Sequence, residues 1–162
     1  MAGIRHIART TALQILYQQE VNPVEPELAL QRYLEVANVS EKAKPFALEL
    51  VKATIEHQED IDTKLIKALE HWKLPRLSVV IRNLLRMSVC EMIVLQDTPF
   101  QVVVNEAVET ARQFMDEESA KFVNGVLEKC WLNEGRTLPD RYTGENPQAT
   151  TGLSDSPEEE PS

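Results

Sequence analysis

The sequence predicts a single all-α domain, and three observations support this prediction. Apolar residues recur at intervals of three and four over several long stretches, which is the spacing of one helix face. The chain has only five glycines, and its β-branched residues do not form the short alternating runs typical of strands. A length of 162 residues fits one domain. We expect this domain to span residues 1–133.

The first predicted helix covers about residues 3–20 and ends at the segment VNPVEP (21–26), because proline disfavours a helical residue before it. Arg5 and Arg9 lie one turn apart on this helix, with His6 displaced by about 100° around its axis. The helix has one apolar stripe, which comprises Ile4, Ile7, Ala8, Thr11, Ala12, Ile15 and Leu16.

A second helix follows Pro26, and a third covers about residues 41–58 with Ser40 as its N-cap. A short helical continuation reaches Trp72. The fourth helix begins near Leu77 and is apolar or small through much of its circumference, so we expect it to be the most buried. The third helix is expected to place Phe46, Leu50, Ala53 and Ile55 in the core.

The fifth helix follows a boundary that has a capping signal. Thr98 is the expected cap, Pro99 the first helical residue, and Gln101 completes a capping box. The sixth helix starts at about residues 116–119. The apolar residues expected to point inward from the fifth helix are Val104, Ala107, Val108, Ala111 and Phe114.

The segment 134–162 differs from the rest in composition. It is rich in Pro, Gly, Ser, Thr and Glu and poor in aliphatic residues, which predicts a disordered tail. It is also acidic, with seven acidic and two basic residues in a chain of net charge −9. The remainder has 19 acidic and 15 basic residues, so a broad phosphate-binding face is not expected and any RNA site must be local.

The sequence gives no sign of export, catalysis or a bound cofactor. No apolar stretch approaches the roughly 18 residues of a membrane span, and the N-terminus lacks the apolar core of a signal peptide. Cys90 and Cys130 are too few for a disulfide framework, so a cytoplasmic protein with reduced thiols is expected. No metal-ligand spacing, nucleophile motif or phosphate-binding loop is present. We therefore predict a protein that is not an enzyme and that binds no metal.

Two local features have both a structural and a functional interpretation. The set Arg5, His6 and Arg9 is either a solvated helix face or a phosphate clamp, in which arginine holds phosphate bidentately. Phe122 and Val123 cannot both point directly inward, and an exposed Phe122 beside a lysine would suit an unpaired base. The residues alone thus indicate a helical domain and do not decide whether its local contacts are with RNA or with protein.

Three separate blocks resemble the NusB family, and they occur in the family's order. The strongest is VVVNEAVETARQF (102–114) followed by SAKFVNGVLEK (119–129). The opening RHIARTTALQILY (5–17) is similar to the family pattern R-x-x-A-R…A-x-Q-x-L-Y. The segment RNLLRMSVCEM (82–92) is similar to the family's R-x-x-L-R-x-x-x-x-E-[LM] helix. The blocks lie between residues 5 and 129, so the resemblance covers about residues 1–133, all but the tail.

This resemblance implies a fold and a function. The expected fold is two packed three-helix subdomains. The expected function is transcription antitermination without catalysis, through binding of the single-stranded boxA element of nascent rRNA-operon RNA. The expected protein partners are NusE, a small-subunit ribosomal protein, and the RNA polymerase antitermination complex.

The resemblance also implies site residues. Tyr17 matches the tyrosine that faces NusE, and Ile81 stands where the family usually has an acidic residue at that face. His6 stands where many members have arginine, so its charge depends on pH. The residues that match RNA contacts are Arg5, His6, Arg9, Glu118, Lys121 and Phe122.

Two alternatives remain. The RNA-binding domain of rRNA cytosine-5 methyltransferases shares the expected fold, but no segment for binding S-adenosylmethionine follows here. A helical protein–protein adaptor or self-associating scaffold is compatible with the acidic body, and a homodimer stays open. Salt dependence separates RNA binding from the adaptor or scaffold function, because phosphate contacts weaken steeply with salt.

Overall fold

The computed structural model describes residues 3–140, and the predicted disorder of residues 141–162 lies outside them. The described part is helical and contains no β-strand, which confirms the all-α prediction. Three short turns of tighter or wider helix are Glu41–Ala43, Leu74–Arg76 and the π-turn Cys90–Leu95. The helices are α1 (Ile4–Val21), α2 (Pro26–Val36), α3 (Lys44–Glu56), α4 (Gln58–Ala68), α5 (Val79–Val89), α6 (Phe100–Phe114) and α7 (Glu117–Asn133).

The helices form two groups that share one core. Helices α1, α2 and α3 pack on one another, and α5, α6 and α7 form the second group, with α6 and α7 as an antiparallel pair. This arrangement confirms the two packed three-helix subdomains. The short helix α4 connects them and packs on α5 and α7, while α1 crosses α5. No helix within residues 3–140 has the length and apolar character that crossing a bilayer requires.

Side-chain caps fix the starts of three elements. Ser40, predicted to cap the third helix, accepts a hydrogen bond from the Lys42 N–H and caps the short turn Glu41–Ala43 that leads into α3. Ser78 accepts from the Ile81 N–H at 3.2 Å and starts α5, and an Asp116 carboxylate oxygen accepts from the Ser119 N–H at 2.7 Å and starts α7. Each cap satisfies an N–H that has no partner within its own helix.

The capping box predicted for α6 is wrong. The helix begins at Phe100, one residue later than expected, because Pro99 has an extended ψ of 145° and acts as the N-cap residue. Its carbonyl oxygen accepts from the N–H groups of Val102 and Val103. Thr98 is thereby one residue too early to cap, and its hydroxyl lies 3.4 Å from the Asp97 carboxylate instead.

The core agrees with the predicted periodicity except at helix ends. Helix α5 is buried along most of its length, as expected. Ile55 and Phe114 were expected inside but are 36% and 40% exposed. Both lie in the last turn of their helices, beyond the reach of the neighbouring helix. Val123 is fully buried and Phe122 only half-buried, so Val123 is the residue that points inward.

The first residues of the predicted tail, 134–140, lie against the helical body. The indole N–H of Trp131 donates to the Thr137 carbonyl at 2.9 Å. The Arg136 guanidinium lies 4.8 Å from the Trp131 ring centroid and donates to the Gln96 side-chain oxygen. Leu138 packs against the core. A domain boundary at residue 133 therefore stays a prediction, while the chain remains in contact with the body for several residues beyond it.

Both thiols are expected to be unreactive in the folded protein. Burial raises the pKa of Cys90 to about 11 and that of Cys130 to about 12. Because only the thiolate attacks a disulfide reagent, we expect reaction at pH 8 to be slower than for a free cysteine by roughly two orders of magnitude for Cys90 and roughly three for Cys130. Titration with Ellman's reagent would measure this, with the protein in denaturant as the control in which both thiols react. Fast reaction of either thiol in the native protein would contradict the prediction.

Candidate nucleic-acid interface

The exposed cation of the N-terminal helix is Arg5. Its guanidinium carbon lies 3.9 Å from the centroid of the Phe46 ring at the start of α3, which is a cation–π contact. Arg5 is exposed and forms no ion pair within residues 3–140. A planar guanidinium that rests on a ring still presents N–H donors at its edge. Arg5 is therefore oriented and available to a phosphate.

His6 is half-buried and paired with an acidic side chain. Its Nδ1 lies 2.9 Å from the Glu106 Oε1 on α6. The same Glu106 oxygen is 3.8 Å from the Arg9 Nη1, so this one carboxylate faces two side chains of α1. The pairing places His6 between α1 and α6 and reduces its availability to RNA.

Arg9 is buried in a bidentate ion pair that the sequence did not predict. Its Nε and Nη2 donate to the two carboxylate oxygens of Glu91 at 2.9 and 2.5 Å. Burial lowers the pKa of Arg9, but the hydrogen bond and charge of Glu91 outweigh it, and the net pKa is raised. Glu91 itself is 1% exposed and lies in the π-turn. The pair ties α1 to this turn, so the guanidinium of Arg9 is not open to a phosphate in this structure.

The remaining predicted RNA residues lie at the start of α7, beside a cleft of about 270 Å³. Two aromatic rings line it: Trp72 and Phe122 meet edge to face, with centroids 5.8 Å apart and an interplanar angle of 74°. Arg76 and Glu118 contribute opposite charges to the lining. Lys121 is exposed and adjacent to Phe122 along α7. This cleft joins aromatic surface, charge and solvent access in one place.

Helix α6 contacts His6 near its middle and reaches the cleft at its end. Glu106, which contacts His6, lies in the middle of α6, and Met115, which lines the cleft, follows its end. Nine residues of helix correspond to about 13 Å along its axis. Within residues 3–140, no hydrogen bond, ion pair or ring contact joins Arg5 to Phe122. The two groups thus lie at the starts of α1 and α7 and have no direct contact with each other within residues 3–140.

The two residues predicted at the NusE face differ in exposure. Tyr17 is 42% exposed on α1, so its ring is available to a partner. Ile81 is 5% exposed and lines the inner part of the cleft, so its position does not support a direct partner contact. The adjacent Arg82, which the sequence analysis did not single out, donates to Glu20 at 2.8 and 3.0 Å.

Glu20 belongs to an ion-pair network that joins α1, α4 and α5. Arg86 donates to Glu20 at 3.0 Å and to both Asp62 oxygens at 2.8 and 3.0 Å. The hydrogen bond from Arg82 holds the pKa of Glu20 below its usual value, with Arg86 adding to the effect. The network holds α1 against α5 at Glu20, one turn after Tyr17. The R-x-x-x-R spacing at 82–86 was visible in the sequence, but its acidic partners were not.

The cleft residues Trp72, Arg76 and Ser78 were missed as site residues. The sequence predicts a helical segment that reaches Trp72, but α4 ends at Ala68 and Trp72 lies in the following loop. The signal that could have found them is the aromatic and basic content of the short stretch 72–78, which lies between α4 and the buried helix α5. Its position opposite α7 is a tertiary feature, and no local pattern encodes it.

Comparison with known proteins agrees with this architecture. The NusB family model matches residues 6–131. A transcription antitermination protein NusB from Exiguobacterium sp. is 45% identical over 123 residues, which cover 76% of this chain and 93% of that protein. The crystal structure of antitermination factors NusB and NusE in complex with double-stranded RNA is similar with a TM-score of 0.74 and 31% identity, covering 82% of this chain and 99% of that one.

A second solved structure, of a plectonemic RNA supercoil, contains a chain that is similar with a TM-score of 0.77 and 31% identity. It covers 85% of this chain and 100% of that chain. The family model thus matches most of the helical body, from residue 6 in α1 to residue 131 in α7. The chain therefore belongs to the NusB family of non-catalytic transcription antitermination factors.

Proposed function

We propose that this protein binds the single-stranded boxA element of nascent RNA together with NusE, and that the pair acts in the RNA polymerase antitermination complex. The observation that carries the proposal is the presence of two RNA-compatible groups at the surface, one at the start of α1 and the other at the start of α7. Arg5 supplies an oriented cation that has no ion pair within residues 3–140, and Phe122 supplies a half-buried aromatic ring beside the exposed Lys121. The likeness to a NusB chain that was crystallised with NusE and RNA supports it.

Each group has a distinct role in this proposal. Arg5 and Lys121 attract phosphates and position the strand. Their contribution to the binding affinity does not depend on the RNA sequence. Phe122 stacks on an unpaired base. His6 and Arg9 act indirectly, because their pairing with Glu106 and Glu91 holds the start of α1 against α6 and the π-turn.

NusE is proposed to dock on the face around Tyr17. The ring is exposed, and the Glu20–Arg82–Arg86 network one turn later makes this part of α1 rigid. A rigid aromatic anchor loses little conformational entropy on binding. NusE bound here would extend the RNA surface, so each ligand would tighten the binding of the other.

The test is binding of fluorescent boxA-like RNA and of a scrambled RNA with the same base composition, each with and without purified NusE, at fixed salt. We expect selective binding that tightens when NusE is present. Equal binding of both RNAs with NusE present would contradict the proposal. NusE binding without any RNA selectivity would favour the adaptor function, and self-association that blocks Tyr17 would favour the homodimer.

Arg5→Ala is expected to weaken RNA binding by a similar factor for boxA-like and scrambled RNA, because a phosphate contact carries no sequence information. The slope of log K against log salt should fall in magnitude by about one. Arg32→Ala on α2 is the matched control, since Arg32 is also exposed and has no ion pair within residues 3–140. An unchanged salt slope in Arg5→Ala would remove Arg5 from the site.

A further inference from the structure

The acidic residues at the end of the chain have a target on the surface of the helical body. We infer that the acidic segment, residues 141–162, occupies the guanidinium of Arg5 when RNA is absent and competes with RNA phosphates for it. This inference rests on the proposed function, in which Arg5 is a phosphate contact, and it adds a regulation of that site. The occupant is this chain itself and not a second protein.

The chain is anchored to the body just before the acidic segment begins. The Trp131 indole N–H donates to the Thr137 carbonyl at 2.9 Å, and the Arg136 Nη2 donates to the Gln96 side-chain oxygen at 3.2 Å. The Trp131 ring also stacks on Phe100, the first residue of α6, with centroids 4.7 Å apart. These contacts hold the chain beside the loop that connects the π-turn to α6.

A short series of contacts leads from this loop to Arg5. Asp97 follows Gln96 in the loop, and its carboxylate lies within electrostatic range of Arg9. The guanidinium carbon of Arg9 lies 5.7 Å from the centroid of the Phe46 ring, and that of Arg5 lies 3.9 Å from the same centroid. The acidic segment therefore starts a few residues from an anchor that lies near Arg5.

Arg5 is the cation in this region that is available to a carboxylate. Arg9 is neutralised by its bidentate pair with Glu91, and His6 is already paired with a carboxylate of α6. Arg5 is exposed and has no ion pair within the described part of the chain. Its contact with Phe46 holds the guanidinium in one orientation, so little side-chain entropy is lost when a carboxylate binds.

The acidic segment has the charge and the length to reach this cation. It contains five acidic residues and one basic residue, and Glu158, Glu159 and Glu160 are consecutive. Its 22 residues span at most about 75 Å when fully extended, whereas α1 is about 27 Å long. A tethered ligand that can span the distance acts at an effective concentration in the millimolar range. Ion pairs that are weak between separate molecules are therefore populated within one chain.

Neutralising the three consecutive glutamates in the full-length protein tests the competition. We expect this segment variant, Glu158→Gln/Glu159→Gln/Glu160→Gln, to bind fluorescein-labelled boxA-like RNA at least about threefold more tightly at low salt. A scrambled RNA should gain the same factor, because the segment competes for a phosphate contact and not for a base. The gain should shrink as salt rises, since the Debye length falls from about 30 Å at 0.01 M to about 8 Å at 0.15 M.

Matched variants separate competition at Arg5 from a general effect of net charge. The control variant Glu25→Gln/Glu56→Gln/Glu59→Gln removes the same charge from exposed residues that form no side-chain hydrogen bond or ion pair within residues 3–140. It should change the RNA affinity by less than about twofold, because surface charges beyond a Debye length are screened. In an Arg5→Ala background the segment variant should also gain less than about twofold, since the contested cation is absent. An Arg32→Ala background should retain the full gain.

A spin label measures the contact without RNA. Both native cysteines are buried, so a nitroxide reagent reacts with the thiol introduced by Ser156→Cys. We expect paramagnetic broadening of the backbone amide signals of Arg5 and Phe46, and loss of this broadening at high salt. The amide of Glu27, at the start of α2, is the reference that should keep its intensity.

An RNA affinity that does not rise in the segment variant, an equal gain in the control variant, or a gain that persists in Arg5→Ala would each overturn the inference. Absence of broadening near Arg5 would also overturn it. So would broadening that grows with protein concentration, because this would place the segment on a second copy.

The boxA comparison with NusE tests the proposed function separately. Selective boxA binding that the segment variant does not strengthen would leave that function intact and exclude the contact. Broadening near Arg5 without any RNA selectivity would support the contact and contradict the boxA function.

Discussion

Arg9→Ala is expected to lower the free energy of unfolding by about 3–5 kcal/mol, because it leaves the Glu91 carboxylate buried without its partner. The pair connects α1 to the π-turn, so its loss also removes a contact between the two helix groups. Urea denaturation followed by circular dichroism measures the effect. Arg5→Ala on the same helix is the matched control and should cost about 1 kcal/mol or less, since Arg5 is exposed and makes one cation–π contact.

The double variant Arg9→Met/Glu91→Leu separates a structural role of Arg9 from an RNA contact. Replacing both ions by apolar residues removes the uncompensated charge, so most of the lost stability should return. If Arg9 only positions α1, the double variant should also bind boxA-like RNA with nearly the affinity of the unmodified protein. A stable double variant whose RNA binding is reduced tenfold or more would instead show that Arg9 contacts RNA directly. An Arg9→Ala protein of unchanged stability would contradict the ion-pair argument itself.

Phe122→Ala is expected to weaken binding of boxA-like RNA by about 1–3 kcal/mol, or roughly five- to 150-fold, because it removes the ring that stacks on a base. Competition binding with and without NusE measures the change. Phe122→Tyr should retain most of the affinity, since it keeps the ring. Phe114→Ala is the matched control, because Phe114 is an exposed aromatic residue at the end of α6 that does not line the cleft.

Phe122→Ala also removes the contact with Trp72, so part of its effect is on stability. Unfolding of this variant must therefore be measured alongside, and RNA binding compared under conditions where it is fully folded. An RNA affinity within twofold of the unmodified protein would exclude Phe122 from the site. An equal loss in Phe114→Ala would show that the effect is general to this corner of the molecule.

The helical character, the approximate helix positions and the most buried helix follow from the spacing of apolar residues. That spacing depends on which residues share a helix face, which is a local property. Errors occurred where a local pattern allowed two outcomes. Thr98 and Pro99 predicted that α6 begins at Pro99 with Thr98 as its cap. Pro99 is instead extended and is itself the N-cap residue, so the helix begins one residue later. Ile55 and Phe114 continue apolar stripes past the point where a neighbouring helix covers them.

The sequence by itself determined the family, the two-group fold and the set of residues that could contact RNA. Only the tertiary structure decided which of them are available. Arg5 and Arg9 are equivalent in sequence, yet Arg5 rests on Phe46 at the surface while Arg9 is buried against Glu91, 82 residues away. Burial and the choice of ion-pair partner depend on contacts between distant segments, and a helix periodicity carries no information about them.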